Sequence, residues 1–311
     1  MDPNIGSTTI RYKRPSYPTD PNIDSATRKP KVTIHYLRPG YQGPGPDEIE
    51  RGPEYLSREI FKISPTLMVK YGAWIKFSEA KNMLFIEQNT TIPVPKVHAV
   101  YSLMAPARKH YNDGWTGKRE FREITYIFMD FVPGATIEES WDQWDEATIA
   151  NVQNELKDYI RQLRGIPGGE YIGSLDRGPV ADCMLEHADF RGPFDSEEEF
   201  NIGLRKTYWE SYKKEVLICD RLDGMLAAHK HQIVFTHNDL HFSNIMVHDG
   251  HISSIIDWAD SGWYPDYWEY VSAMRVGNNR QDWNTILDNG IGRPHCEYLI
   301  IERVRQILVP W

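Results

Sequence analysis

Over the first 131 residues the apolar positions fall in short β-type runs. Beyond them they recur mainly at helical spacing, with one further β-type cluster between residues 232 and 257. Lys31–Leu37 has strand character and would add an edge strand. Glu59–Ile63 and Thr66–Tyr71 are rich in β-branched and aromatic residues around Ser64-Pro65, which predicts a hairpin. Ala80, Met83 and Leu84 mark a helix over Ser78–Ile86, and the prolines of Thr91–Pro95 break it. Strands return at Lys96–Leu103 and Glu123–Phe131, either side of a polar loop Lys109–Arg122, and the second ends at Val132-Pro133-Gly134. One helix is predicted over Ile137–Arg164 from Ile149, Val152, Leu156, Tyr159, Ile160 and Leu163, with Gly165–Gly169 stopping it. Residues 170–200 read as irregular, their acidic Asp195–Glu199 suited to a helix start, and Phe200–His231 as one or two helices. Helices at Trp268–Met274 and Cys296–Leu308, separated by polar, glycine-containing loops, complete the pattern. No internal repeat is evident.

The β-type cluster is the most informative stretch. Asn244–Val247 and Ile252–Ile256 flank His248-Asp249-Gly250-His251, and an Asp-Gly pair between two such runs predicts a tight hairpin with both turn residues at positive φ. With Asp249 and Gly250 as the turn, Asn244 faces Ile255, and Asp257 projects from the same face as Asn244. Ahead of the hairpin, right after Ile233–Phe235, lies a polar loop, His237–Ser243. An amide oxygen and two carboxylates would converge there, a donor set suited to a hard cation such as Mg²⁺. The carboxylate left over, Asp239, would accept a proton from a hydroxyl attacking a phosphoryl group. His237 and His241 have a spacing used by zinc ligands, but neither a regular helix nor a third ligand accompanies them.

Lys70 stands inside an apolar strand, where an ammonium needs a partner, and Glu79 opens the next segment. The glycines at 40, 43 and 45 do not make a phosphate loop, because the interleaved prolines remove the N–H groups such a loop uses.

The order His237-Asn238-Asp239, then Asn244, then Ile256-Asp257-Trp258 thirteen residues after the Asn resembles the catalytic and metal-binding loops of one enzyme family. It is the aminoglycoside phosphotransferase / choline kinase-like family, and the flank Asp257–Tyr270 is similar to its fungal small-molecule kinase branch. The resemblance spans about residues 66 to 274. It implies an α+β, bilobal protein-kinase-like fold, with an N-terminal antiparallel lobe carrying one helix and a mainly helical C-terminal lobe. Residues 1–46 would be a flexible extension, 47–131 the nucleotide-binding lobe, and 132–311 the lobe with the catalytic loop, metal site and acceptor pocket. It also implies transfer of the γ-phosphate of Mg²⁺-bound ATP to a hydroxyl of a small aminoglycoside-, choline- or metabolite-like acceptor. In that scheme Asp239 is the base and Asn244 and Asp257 hold Mg²⁺. Lys70, paired with Glu79, grips the α- and β-phosphates, the backbone at Asp130, Phe131 and Val132 meets adenine, and Met129 packs beside the ring. Asp260 is either a second-metal or substrate contact or a solvated turn residue. Two departures stand out: no Gly-rich loop is recognisable around Tyr55–Arg58, and Asn238 replaces the commoner Gly. The first keeps a catalytically weak pseudokinase scaffold as the alternative. A protein Ser/Thr kinase is disfavoured, since only a handful of residues separate Asp257 from the next helical run.

Composition narrows the partners. The chain has 311 residues, 41% of them hydrophobic and 25% charged, ordinary values for a globular protein with proper cores. Its net charge of −9 disfavours nucleic acid, which requires a basic face. Three scattered cysteines suit a reducing compartment, and no apolar run approaches a membrane span, so a cytoplasmic protein without a membrane partner is expected.

Overall fold

The computed structural model describes residues 32–45, 59–106, 121–182, 184–185, 190–211, 224, 229–276, 281–292 and 297–302. The expectations for residues 1–31, Tyr55–Arg58 and Lys109–Glu120, and for most of the stretch 212–228, lie outside the described residues.

Five antiparallel strands build the first lobe: β1 (Val32–Leu37), β2 (Glu59–Lys62), β3 (Leu67–Gly72), β4 (Val97–Pro106) and β5 (Phe121–Asp130), in the order β1-β4-β5-β3-β2. The predicted β2–β3 hairpin forms, and Ser64 makes its turn by accepting the Thr66 and Leu67 N–H groups. Among the described residues β1 is an edge strand, paired with β4 alone. Alternation sorts the two faces. Val69, Tyr71, Ala99, Tyr101, Leu103, Tyr126 and Phe128 form an outer cluster, while Val97, Val100, Ile127 and Met129 join the main core with α1 (Phe77–Asn89).

The second lobe carries two small sheets. β6 (Ala135–Thr136) pairs with β9 (Ile245–His248) and β9 with β10 (His251–Ile255); β11 (Gly262–Pro265) pairs with both β7 (Gly173–Ser174) and β8 (Ile233–Thr236). Its helices are α2 (Ile137–Ser140), α3 (Glu146–Gly165), α4 (Glu197–Ser211), α5 (Trp268–Val276) and α6 (Gln281–Gly290), with residues 297–302 also helical. The acidic run does start a helix, α4, with Ser196 Oγ accepting the Glu199 N–H.

Three readings are corrected. The helix expected over Ile137–Arg164 is interrupted, because two caps compete: Thr136 and Glu139 form a capping box for α2, and Asp145 accepts the Thr148 N–H to restart the chain as α3. The stretch read as a polar loop after Met274 contains α6, whose Trp283, Ile286 and Leu287 recur at i, i+3 and i+4 and are buried against the core. Gly262–Pro265 forms a strand, β11, in a stretch for which no element is predicted from the sequence.

The hairpin forms with Asp249 and Gly250 at φ 50° and 77°, but its register shifts between Ile252 and Ser254, so Ile245 opposes Ile255 and Asn244 binds Ile256. The cause lies outside the hairpin. Ser253 Oγ donates to Pro133 O at 3.0 Å and the Ile255 N–H to Pro93 O at 2.8 Å, pulling β10 off a simple ladder.

Gly134, φ 109°, lies where the chain leaves the first sheet, and a Cβ there would stand 2.3 Å from the Val247 carbonyl oxygen. Gly134→Ala should therefore destabilise the protein by about 1–3 kcal/mol in a urea titration. An unchanged midpoint would show that the junction relaxes freely.

Candidate active site

The site begins with a buried charge. Lys70, 2% exposed on β3, projects from the inner face of the sheet, and its ammonium donates to Glu79 of α1 and to Asp257 Oδ1 at 2.9 Å. Glu79 is itself 2% exposed. Desolvating an ammonium costs several kcal/mol, so the lysine is tolerable only with these carboxylates beside it. A second tie joins the same parts: Asn82 of α1 donates to the Trp258 carbonyl at 2.7 Å, just past Asp257. Asp257 has left-handed backbone, φ 66°. That local turn, not alternation along the hairpin, accounts for its reach to Lys70.

The loop after β8 holds the second group. His237 is fully buried, and its Nδ1 accepts the Asp239 N–H at 3.2 Å, which leaves Nε2 to donate to the Ile256 carbonyl at 3.0 Å. Burial pushes its pKa down to about 4, so the ring is neutral and braces the loop. The Asp239 carboxylate is held from both sides. Asn244 Nδ2 donates to its Oδ2 at 3.0 Å, His241 Nε2 lies 3.5 Å from Oδ2, and Arg275 Nη2 lies 3.3 Å from Oδ1. Burial pushes this carboxyl up, but the bond from His241 and the charges of His241 and Arg275 outweigh it and leave it below the usual range. Asn244 also donates to the Asp239 carbonyl at 2.9 Å, so its two acceptors identify the nitrogen, and its amide oxygen has no protein partner among the described residues.

Met129 is buried across from Met68, at the end of β5. The Asp130 N–H is already bonded to Lys96 O at 3.0 Å and the Phe131 N–H to Thr66 O at 2.9 Å, while the Asp130 carboxylate meets His98 at 2.6 Å. Asp260 is half-buried, not a solvated turn residue. Burial and the charges of Asp239, Asp182 and Asp257, against the opposing Lys76, raise its pKa to about 6.

Of the residues singled out from sequence, Lys70, Glu79 and Asp257 bond directly, as do Asp239 and Asn244. The Ile256 N–H, donating to Asn244 O at 2.9 Å, links the two groups one residue before Asp257. Met129 to Val132 lie along the strand hydrogen-bonded to β3 or just beyond it. Three participants went unread, Glu269, Arg275 and Asn82, while Asn238 is marked in the sequence only as standing where Gly is commoner. Of these three only Glu269 left a signal, a carboxylate inside the run Tyr267–Met274, which is apolar but for it and Ser272. In the fold it is buried and accepts the backbone N–H groups of His237 at 2.7 Å and Asn238 at 3.1 Å.

The profile of the phosphotransferase enzyme family matches residues 77–297. The chain belongs to that family. It is a kinase-class enzyme, an ATP-dependent phosphotransferase acting on hydroxyl groups. No curated protein matches it. Among solved structures, a thermostable mutant of aminoglycoside phosphotransferase APH(4)-Ia in ternary complex with ADP and hygromycin B aligns with TM-score 0.54 at 11% identity, over 84% of each chain. The apo form of a thermostable mutant of the same enzyme gives 0.52 at 13% identity, over 84% of this chain and 85% of that one. Both confirm the protein-kinase-like fold. Among the described residues no helix is long and apolar enough to cross a membrane.

Burial raises the Glu269 carboxyl to about 7, against the two N–H bonds that favour its charged form. A folded-state value above the unfolded one makes the group stabilising at acid pH, a contribution lost as pH rises from about 4.5 through 7. Glu269→Gln should lower the melting temperature by several degrees, since one buried N–H loses its acceptor. It should also flatten the decline in stability between pH 5 and 8. A variant whose pH profile parallels the wild type would show that Glu269 is not the titrating group.

Proposed function

We propose that this phosphotransferase moves the γ-phosphate of Mg²⁺-bound ATP to a hydroxyl of a small aminoglycoside-, choline- or metabolite-like molecule. The observation that carries this reading is the meeting of the buried Lys70–Glu79–Asp257 cluster with the Asp239–Asn244 pair through the Asn244–Ile256 backbone bond. The ammonium is placed to take the α- and β-phosphates, with Glu79 keeping it charged and in position. The Asn244 amide oxygen and the Asp257 carboxylate are hard oxygen donors of the kind Mg²⁺ accepts, and they are the residues that would hold it. When bound, the ion would neutralise charge on the phosphate oxygens during transfer.

Asp239, ionised at neutral pH, orients the acceptor hydroxyl and takes its proton. The hydroxyl oxygen bonds to phosphorus as the bond from phosphorus to the β–γ bridging oxygen breaks, and ADP leaves with that electron pair. With the Asp130 and Phe131 N–H groups engaged and Pro133 lacking one, Val132 is the hinge residue left to donate to adenine, and the Asp130 carbonyl side and Met129 complete that edge. In this reading the 47–131 stretch, joined by β1 (Val32–Leu37), forms the nucleotide-binding lobe, and 132–311 carry the catalytic loop and acceptor pocket. The co-bound ADP and hygromycin B of the aligned structure supply a precedent for donor and acceptor sites in this fold.

The test is ADP release measured across a panel of hydroxylated small molecules. Asp239→Asn should lower turnover of any active acceptor by about 10²–10⁴-fold while ATP affinity holds. Full turnover in that variant would remove Asp239 from the reaction.

A further inference from the structure

The residue between His237 and Asp239 does more than turn the chain. Asn238 is buried and has φ 67°, a conformation that Gly adopts without cost and Asn tolerates. A glycine would satisfy the backbone, so the Asn is explained only by its side chain. Its Nδ2 shares two hydrogens among three acceptors, Ala181 O at 3.1 Å, Asp260 O at 3.3 Å and Tyr264 Oη at 3.2 Å, and its Oδ1 accepts Trp268 Nε1–H at 3.0 Å. The same indole N–H lies 3.2 Å from Asp182 Oδ2, and Asp182 Oδ1 accepts the Met184 N–H at 2.8 Å. Tyr264 adds a bond to the Ala181 backbone.

The irregular stretch Val180–Asp182 is thus fastened to the catalytic loop through Asn238 and the indole that it shares. Its other anchors are the Val180 N–H to Arg191 O at 2.8 Å and the burial of Val180, Met184 and Leu185 in the apolar cluster that also holds Trp268. Asp182 stands within electrostatic reach of Asp260, as Asp239 and Asp257 do. Val180–Asp182 belongs to the second lobe, and Lys70 to the first.

We propose that Asn238 is a positioning residue that locks Val180–Asp182 onto the Asp239 loop, making that stretch a fixed wall on the acceptor side of the site. The proposal rests on the phosphotransfer reading for the word acceptor, and on the geometry alone for the lock. One side chain replaces the freedom of a glycine loop with a joint among four elements: the stretch itself, the turn at Asp260, β11 and α5. Distortion of the wall then reaches Asp239 directly, since Asn238 and Asp239 are consecutive. Nucleotide contacts made from the first lobe are untouched.

The experiment is hydrogen–deuterium exchange on the full chain, wild type against Asn238→Gly, with a Mg²⁺–ATP thermal-shift titration on the same samples. Glycine keeps the backbone conformation and removes all four bonds. Exchange at the amides of residues 180–182 and 184–185 should rise about tenfold, the scale of one lost hydrogen bond. Amides of β3 and α1 and the nucleotide-induced shift should stay as in the wild type. Where ATP hydrolysis by water is measurable, kcat should fall with the KM for ATP unchanged. Trp268→Phe, which keeps a large ring and removes the shared N–H, should loosen the same amides and serves if the glycine variant does not fold. Unchanged exchange at 180–182 in both variants would overturn the lock, as would a uniform rise across the second lobe with loss of the nucleotide shift. A wild type that itself fails to respond to Mg²⁺–ATP would instead refute the phosphotransfer reading, and the exchange result would still decide the lock.

Discussion

The ammonium of Lys70 is the constraint on which the rest depends. It is withdrawn from water in the middle of a sheet, and it is stable there only because α1 brings Glu79 and the second lobe brings Asp257. That requirement fixes the position of α1 against the sheet and of the Asp257 turn against α1. It also ties the two lobes together at the point where phosphate chemistry would occur. Removing either carboxylate leaves a buried charge with half its compensation, which is why such clusters are costly to alter and informative when found.

The loop that carries Asp239 is held by a different device. It lies beyond the end of a strand, and its backbone N–H groups have no ladder to join. Glu269 takes two of them, His237 braces the turn through both ring nitrogens, and Asn238 binds outward to four elements. Asp239 can therefore sit in a loop and still be as fixed as a residue on a helix. Arg275 and His241 flank its carboxylate and keep it ionised despite burial, an electrostatic setting suited to orienting a hydroxyl without demanding a strong base.

Much of this was legible in the sequence wherever the cause is local. The β-type runs, the Ser64-Pro65 hairpin, the Asp249-Gly250 turn and the buried-lysine problem all follow from side-chain chemistry within a few residues. Where causes act across the chain, the reading failed. The register shift at Ser253 is set by carbonyls of Pro93 and Pro133, far off in sequence, so alternation placed Asn244 opposite the wrong partner. α6 was hidden because its polar residues outnumber the buried Trp283, Ile286 and Leu287 that define its inner face. Asn82 and Arg275 are polar residues in ordinary settings that only their long-range partners reveal, and Asn238 stands out as a replacement for Gly without its partners being readable. Glu269 is the intermediate case: a carboxylate in an apolar helix signals a need without naming the groups that meet it.

The central claim is that the Lys70–Glu79–Asp257 cluster is a site for a metal-bound nucleotide. Calorimetric titration of ATP into the wild type and Asp257→Ala, each with and without Mg²⁺, tests it most directly. Binding should be tighter with Mg²⁺ in the wild type, and that gain should vanish in the variant, whose Lys70 keeps Glu79 as partner. Affinity indifferent to both Mg²⁺ and the substitution, or no binding at millimolar ATP, would contradict the claim.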